Sequence, residues 1–203
     1  RDTGPLMLVD GDNGSGAVVS NFANRLAIRA ARAWGLAAVS ARNSNHNGIN
    51  AAYTLETARA GLIGIAATNV AMSMATAGGR EPVLGTNPIS IAVPRRGGEP
   101  IVLDMATSVV ARGKVVEAAK RGEPIPLGWA LDAEGRPTRD SVAAERGVIL
   151  PFSGPKGSGL AIMIDMLSGV LSGSLFGPQI PNLYSNFATP QGIGHFFLAL
   201  ADG

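Results

Sequence analysis

The chain has 203 residues, 46% of them apolar and 16% charged, enough to bury a substantial core and incompatible with a disordered segment. Its 17 Lys and Arg are scattered and nearly matched by 15 Asp and Glu, and aromatics are only 5%, which excludes the basic, aromatic-interleaved footprint of a nucleic-acid binder. With no Cys, disulfides, thiolate metal sites and cysteine nucleophiles are excluded together, a composition that fits a reducing cytoplasm.

Arg1 opens the polar run Asp2-Thr3-Gly4-Pro5 rather than an apolar leader, and the apolar stretches 61–67 and 159–171 are too short or too interrupted to span a bilayer. Residues 6–10 read as a short buried strand, followed by the turn-rich Gly11-Asp12-Asn13-Gly14-Ser15-Gly16. A helix over 17–34 comes next, with Val18, Phe22 and Leu26 on one face, Arg25, Arg29 and Arg32 on another, and Gly35 as its stop. A strand over 36–42 is broken by the polar run Asn43 to Gly48; a helix over 51–60 and an apolar, β-rich run over 62–69 follow. Residues 76–86 are loop, and 89–93 and 101–103 are strands joined by a hairpin connection over 94–99.

Residues 108–121 read as a helix despite Gly113, and 122–140, rich in Pro and Gly, as an irregular surface excursion. In 159–171, Leu160, Met163, Ile164, Leu167, Val170 and Leu171 follow helical spacing, and Ile162 and Met166 widen the apolar face, so this helix is expected to be buried. The last strand spans 195–200. The order of elements gives a mixed α/β fold with some antiparallel pairing.

Only two His are present, so an acid or base working near neutral pH has few candidates. His46 sits in Ser44-Asn45-His46-Asn47-Gly48, between a strand and a helix, where α/β proteins carry site residues; the same position also suits a turn His bonded to its neighbours. His195, entering an apolar strand, reads as a packing residue. The loop Gly11 to Gly16 has the spacing G-x-x-G-x-G, not the dinucleotide G-x-G-x-x-G, and reads as an ordinary turn. Gly154-Pro155-Lys156-Gly157-Ser158-Gly159 leads into a helix, where free N–H groups and Lys156 would suit an anion or a cofactor phosphate. Asp104-Met105-Ala106-Thr107-Ser108 is expected to open a helix, with Asp, Thr and Ser competing as its cap. Each His stands alone, without nearby ligand spacing, so no metal is expected. A hydrolase reading through His46 and Ser44 lacks the G-x-S-x-G elbow.

Taken together, Ser44 to Gly48, Leu84-Gly85-Thr86-Asn87-Pro88, Leu103 to Ser108, Leu150-Pro151-Phe152, Lys156-Gly157 and Gly194-His195-Phe196-Phe197 occur in the order of one family. The chain resembles, over essentially its whole length, the second type of malate/L-lactate dehydrogenases, a family that also holds ureidoglycolate, sulfolactate and diketogulonate dehydrogenases and cyclic imino acid reductases. The resemblance implies a non-Rossmann dinucleotide fold with a mixed, largely antiparallel sheet and flanking helices, and a homodimer. It implies NAD or NADP as cofactor and a 2-hydroxy or 2-keto acid as substrate, or a cyclic imino acid. His46 matches the acid/base His; Asp104, Met105, Ala106 and Lys156 match cofactor-binding positions, with Gly192 and Gly194 in a segment approaching the cofactor. Ser44, Asn45, Thr86 and Asn87 fall to the substrate or to the support of the site, Asn45 or Ser44 being candidates for holding the imidazole tautomer.

The chain departs from the family pattern at Asn47, where an aromatic is common, and at Gly154-Pro155-Lys156, where Gly-His-Lys is usual. It reads as a single catalytic and cofactor-binding piece over 1–203, beginning after the family's N-terminal helical region, which carries an Arg for the substrate carboxylate, and ending before its C-terminal helices. Exposed apolar surface is the expected consequence. The rival from another class is a dinucleotide-binding protein without catalysis, which would bind nucleotide and show no turnover.

Overall fold

Among the described residues the strand furthest along the sequence lies in the middle of its sheet. The computed structural model describes residues 2–182, 186 and 188–201. Its elements are β1 (Asp2–Thr3), β2 (Leu6–Asp10), α1 (Gly16–Trp34), β3 (Leu36–Ser44), α2 (Ala51–Arg59), β4 (Leu62–Thr68), β5 (Ile89–Val93), β6 (Ile101–Met105), α3 (Arg112–Arg121), β7 (Ala130–Leu131), α4 (Ser141–Arg146), β8 (Val148–Ile149), α5 (Pro155–Asp165) and β9 (Ile193–Ala201). The main sheet has the order β1-β2-β3-β9-β4-β5-β6, and β7 pairs with β8 apart from it. The β2–β3 pair is parallel and every other pair of the main sheet is antiparallel. This is the expected mixed α/β fold class. Among the described residues β2-α1-β3 is the only strand-helix-strand unit with parallel pairing, so the repeated units of a Rossmann domain do not form.

Sequence explains why β9 takes the centre. Ile193, His195, Phe197 and Ala199 are buried on one face, while Phe196, Leu198 and Leu200 are half-buried on the other. A strand apolar on both faces is stable only between two others. On the first face α1 lays Val19, Ala23, Ala27, Ile28 and Ala31 against Ala37, Val39 and Ala41 of β3 and against Phe197 and Ala199 of β9. Tyr53 of α2 meets Phe197 edge-on, with ring centroids 5.7 Å apart.

The buried side of α1 corrects the expected stripe of Val18, Phe22 and Leu26: Val18 is 68% exposed and Phe22 55%. The sheet under this helix is lined by alanines, and alanines at every fourth position of α1 let the two backbones approach more closely than larger side chains would. Contact distance, not residue hydrophobicity, selects the face.

The expected helix over 108–121 starts only at Arg112. Before it the Ser108 hydroxyl donates to the Val110 carbonyl, and Val109 N–H bonds Leu150 O, which keeps 108–111 extended. The segment 122–140 is irregular as expected but not wholly superficial: Ile125 and Ala130 pack with Val115, Ala144 and Ile149 into a second small core. Helix α4 was not signalled by periodicity; Asp140 caps it by accepting from Val142 and Ala143 N–H.

Helix α5 starts earlier than expected, with Pro155 in its first turn, and continues as a π-helical turn over Met166–Val170. It is not buried on all sides. Met163, Met166, Val170 and Leu171 are exposed, whereas Gly157, Ser158, Ala161, Ile164, Asp165, Ser168 and Gly169 face inward. Small residues again mark the close contact: a Cβ on Gly194 of β9 would lie 1.7 Å from the Ser168 carbonyl oxygen. Gly194→Ala should therefore destabilise by at least the ~1–3 kcal/mol typical of overpacking, lowering the urea midpoint with m unchanged. An unshifted midpoint would mean that the π turn moves aside freely.

Candidate active site

The loop that carries His46 is fixed from three sides. The start of α1 presses on it, because a Cβ on Gly16 would fall 1.9 Å from Asn45 O. Asn45 Nδ2 donates to the carbonyls of Asn13 (3.0 Å) and Gly14 (2.9 Å), so its amide fastens the Gly11 to Gly16 turn and not the imidazole. That turn thus serves packing on the His46 loop. Asn47 Nδ2 donates to Ser20 Oγ and Asn50 Oδ1, and Tyr53 Oη donates to Asn47 O at 2.6 Å. The polar side chain at 47 is buried in this network, which explains why an aromatic is not needed there.

His46 itself lines a cleft of about 210 Å³ with Val70–Ser73, Thr86, Arg112 and Gln191. Its N–H donates to Gln191 Oε1 at 3.0 Å, and its Nδ1 accepts from Gly48 N–H at 3.1 Å. The neutral ring therefore carries its proton on Nε2. Gly48, rather than Asn45 or Ser44, sets the tautomer. The ring edge is open to solvent, but the walls around it desolvate the imidazolium and lower the His46 pKa below 6.5.

Loop 70–73 is held by Asn87, which is fully buried: its Oδ1 accepts from Val70 N–H (3.1 Å) and its Nδ2 donates to Ala161 O (3.0 Å). Thr86 O accepts from both N–H and Oγ1 of Thr107, each at 2.9 Å, and Thr107 O accepts from Phe152 N–H at 3.1 Å. Through Thr107 the cleft wall at Thr86 joins the end of β6 and the turn before α5. Asp104 and Met105 lie within β6 and do not open a helix. The Asp104 carboxylate accepts from Ala51 N–H at 3.1 Å, at the start of α2; desolvation raises its pKa and this bond partly offsets the rise. Lys156 is exposed in the first turn of α5. The N–H groups expected to be free there are largely taken, Gly157 N–H by Phe152 O (2.9 Å) and Ser158 N–H by Gly154 O (3.1 Å). Asp104 to Ala106 and Lys156 thus lie outside the lining of the His46 cleft.

Gly192 follows Gln191, and its carbonyl accepts from Leu175 N–H and Ser174 Oγ. Gly194 N–H donates to Asn69 Oδ1 at 3.0 Å, and Asn69 Nδ2 donates to Asp165 Oδ1 (2.8 Å) and Leu175 O (2.9 Å). Burial raises the Asp165 pKa; the bonds from Asn69 and from Gly177 N–H oppose the rise. His195 is fully buried, with Nε2 2.9 Å from Ser44 Oγ and Nδ1 2.7 Å from Thr68 Oγ1, so the packing expectation holds with a polar addition. Among the described residues no cluster of three or more His, Asp or Glu is placed to hold a metal ion, and no helix is long and apolar enough to cross a membrane.

Sequence reasoning missed Arg112, Gln191 and 70–73. Arg112 was concealed inside the expected helix, and its placement at the first position of α3 brings it to the cleft. Asn69, at a strand end beside Thr68, was the available signal for the loop that follows.

A largely antiparallel sheet with one histidine-bearing cleft at its strand ends defines an α/β domain of non-Rossmann type. Residues 1–202 match the family model described as malate/L-lactate dehydrogenase, and the chain belongs to this family. It is 47% identical over 173 residues to the (2R)-3-sulfolactate dehydrogenase (NADP(+)) of Chromohalobacter salexigens, covering 85% of this chain and 52% of that protein. With the malate dehydrogenase of Pyrococcus abyssi it shares 43% identity over 208 residues, 98% of this chain and 56% of the relative. Among solved structures, the sulfolactate dehydrogenase of Methanocaldococcus jannaschii superposes with a TM-score of 0.89 at 41% identity, over 99% of this chain and 58% of that one. The chain spans about half the length of the curated relatives it matches.

Burial holds His195 neutral, with its pKa lowered from 6.5 to about 3 by desolvation first and by the proximity of His46 last, against a backbone bond at Asn45. Because the neutral form is the native one, its contribution to stability is complete above pH 6.5 and is lost as the pH falls from about 6.5 towards about 3, at about 1.4 kcal/mol per unit. The acid slope of the unfolding free energy should be shallower by about one proton in His195→Phe than in the parent between about pH 6 and about pH 4. Equal slopes would mean that the native ring is already protonated.

Proposed function

We propose that the cleft is the reaction centre of an NAD- or NADP-dependent oxidoreductase that interconverts a small 2-hydroxy acid and its 2-keto acid. The carrying observation is His46, desolvated and facing a cleft that also presents the cation Arg112. The names of the relatives, sulfolactate and malate dehydrogenases, support a substrate with an α-hydroxy acid group and a second anion. On this reading the chain forms one catalytic piece, works on soluble small molecules in the cytoplasm and acts as part of a homodimer.

The residues present fit a nicotinamide. Val70, Ala71 and Met72 offer a mainly apolar wall for the flat ring, and the cleft admits that ring with a short acid but not a whole dinucleotide. The rest of the cofactor would run towards Asp104, Met105, Ala106 and Lys156, with Gly192 just before β9 and Gly194 within it in support. Bound nicotinamide supplies the hydride chemistry. In reduction His46 offers Nε2–H to the substrate oxygen and, as imidazolium, gives up that proton as the alkoxide develops. Charging the ring puts a proton on Nδ1 and displaces the Gly48 N–H. In oxidation Nε2 must present a lone pair, so the ring switches tautomer and releases Gly48. Arg112 binds the substrate's anionic group; its Nη2 already donates to Glu145 O at 3.0 Å, which orients the guanidinium.

His46→Ala should lower kcat by about 10²–10⁴-fold in the full-length enzyme while cofactor binding survives. For reduction kcat/KM should fall as the pH rises through an inflection below 6.5, and for oxidation it should rise through the same inflection. Both inflections should vanish in His46→Ala; a variant with parent-like rates and profile would remove His46 from the chemistry. Arg112→Ala should raise the KM for a 2-keto acid by about 10- to 100-fold, the loss of one charge-assisted hydrogen bond, with the cofactor KM little changed. An unchanged substrate KM would take the anion contact away from Arg112.

A further inference from the structure

Three strand ends supply the walls of the His46 cleft. β3 runs through Ser44 to His46, β4 runs through Thr68 to loop 70–73, and β9 is reached through Gln191. One side chain ties all three together. His195 belongs to β9, and its ring nitrogens reach Ser44 Oγ on β3 at 2.9 Å and Thr68 Oγ1 on β4 at 2.7 Å. We propose that His195 is a positioning residue for the His46 site, a buried clasp that holds the three strand ends in register so that the cleft keeps its width. The proposal rests on the reading of His46 as the proton-transfer group.

The main-chain ladder is sparse at the cleft. Pairing between β3 and β9 is regular from Leu36 to Ala41, is interrupted around Asn43 at φ 51°, and resumes only as the single pair Ser44–Ile193. An irregularity of this kind disrupts the ladder locally and weakens its hold on the strand end. On the other side, the pairing of β4 with β9 ends at Thr68 opposite His195. Past these points the backbone supplies only the Ser44–Ile193 pairing and a 3.4 Å bond from Asn69 N–H to Gly194 O, so side chains must add to it. An imidazole suits the task, since its nitrogens sit on different edges of a rigid ring and a neutral ring offers one donor and one acceptor. The hydroxyls of Ser44 and Thr68 rotate to match either tautomer. Thr68 Oγ1 also lies 3.1 Å from the carbonyls of Asn69 and Gly194, so the clasp reaches the residues that lead into the loop. Complete burial keeps the ring uncharged, and the clasp therefore holds while His46 changes protonation.

A core filler and a positioning residue make different predictions for His195→Phe, which keeps an aromatic ring and deletes its hydrogen bonds to Ser44, Thr68 and the Asn45 backbone. The His46 amide, bonded to Gln191 Oε1 across the cleft, reports the register of two walls, and the Val39 amide in the body of β3 reports general stability. In the full-length protein, hydrogen exchange at His46 N–H should accelerate by about tenfold or more with Val39 unchanged. Turnover should fall by between about ten- and about a hundredfold, the cost of a displaced catalytic group, while the cofactor Kd stays within about twofold. Ser44→Ala and Thr68→Val, each removing one hydroxyl, should show the same pattern to a smaller degree, and they carry the test if His195→Phe does not fold. Exchange at His46 equal to the parent, or equal acceleration at His46 and Val39, would overturn the proposal. Parent-like turnover in His46→Ala would instead sink the proton-transfer reading, while the exchange result would still decide whether His195 sets the register.

Discussion

The contact between Gly194 and the Ser168 carbonyl governs how the two halves of this fold meet. With no Cβ in the way, the π turn after α5 comes down onto the central strand, and the groups brought together there bond one another. Gly194 N–H goes to Asn69, Asn69 goes to Asp165 and Leu175 O, and Asp165 accepts from Gly177 N–H. A buried carboxyl is tolerable only when its oxygens are satisfied, and here both are. The end of β4 is pinned to α5 by this chain of bonds, and Asn87 adds a second pin through Ala161 O. Loop 70–73 consequently has little freedom, which is what a wall facing a reacting group requires.

The absence of a dinucleotide fingerprint follows from the same architecture. In a parallel sheet, each strand feeds a helix whose first N–H groups are free to meet phosphate. In this sheet β4, β5, β6 and β9 alternate in direction, and the one parallel unit spends its glycine-rich turn on the His46 loop. The start of α5 has a glycine-rich sequence too, yet Phe152 and Gly154 carbonyls take its N–H groups. Of the cations Arg112 and Lys156, the first lines the cleft and the second is exposed at the start of α5.

Periodicity and turn chemistry located nearly every strand, because β2, β4, β5 and β9 are short apolar runs bounded by Gly, Pro or Asn. They failed where packing distance overrides hydrophobicity. Val18 and Phe22 look like core residues and are exposed, since the alanines one position along allow closer contact with the sheet. The exposed Met163 and Met166 of α5 have the same origin. At the site, His46 was legible as a rare titratable group in a strand-end loop, and Thr86 as part of a recurring turn. Arg112 and Gln191 were not legible, because their arrival at the cleft depends on where a helix begins and on which strands pair across the sheet. Asn45 was legible as a polar neighbour, but its partner, the backbone of the Gly11 to Gly16 turn, is set by tertiary contact alone.

The central place of β9 also has a consequence for how this part of the molecule comes into being. β3 and β4 both pair with β9 and not with each other, and the sequence separation between Ser44 and His195 is 151 residues. During synthesis at about 5–20 residues per second, several seconds elapse in which two apolar strand edges have emerged and the strand that joins them has not. Long-range closure of this kind gives a high contact order and a slow approach to the native state. Until β9 arrives, α1 has only half of its sheet to rest on and the cleft has no floor. Closure of the cleft therefore waits for β9, the strand that brings in both the Gln191 wall just before it and the His195 bridge between β3 and β4.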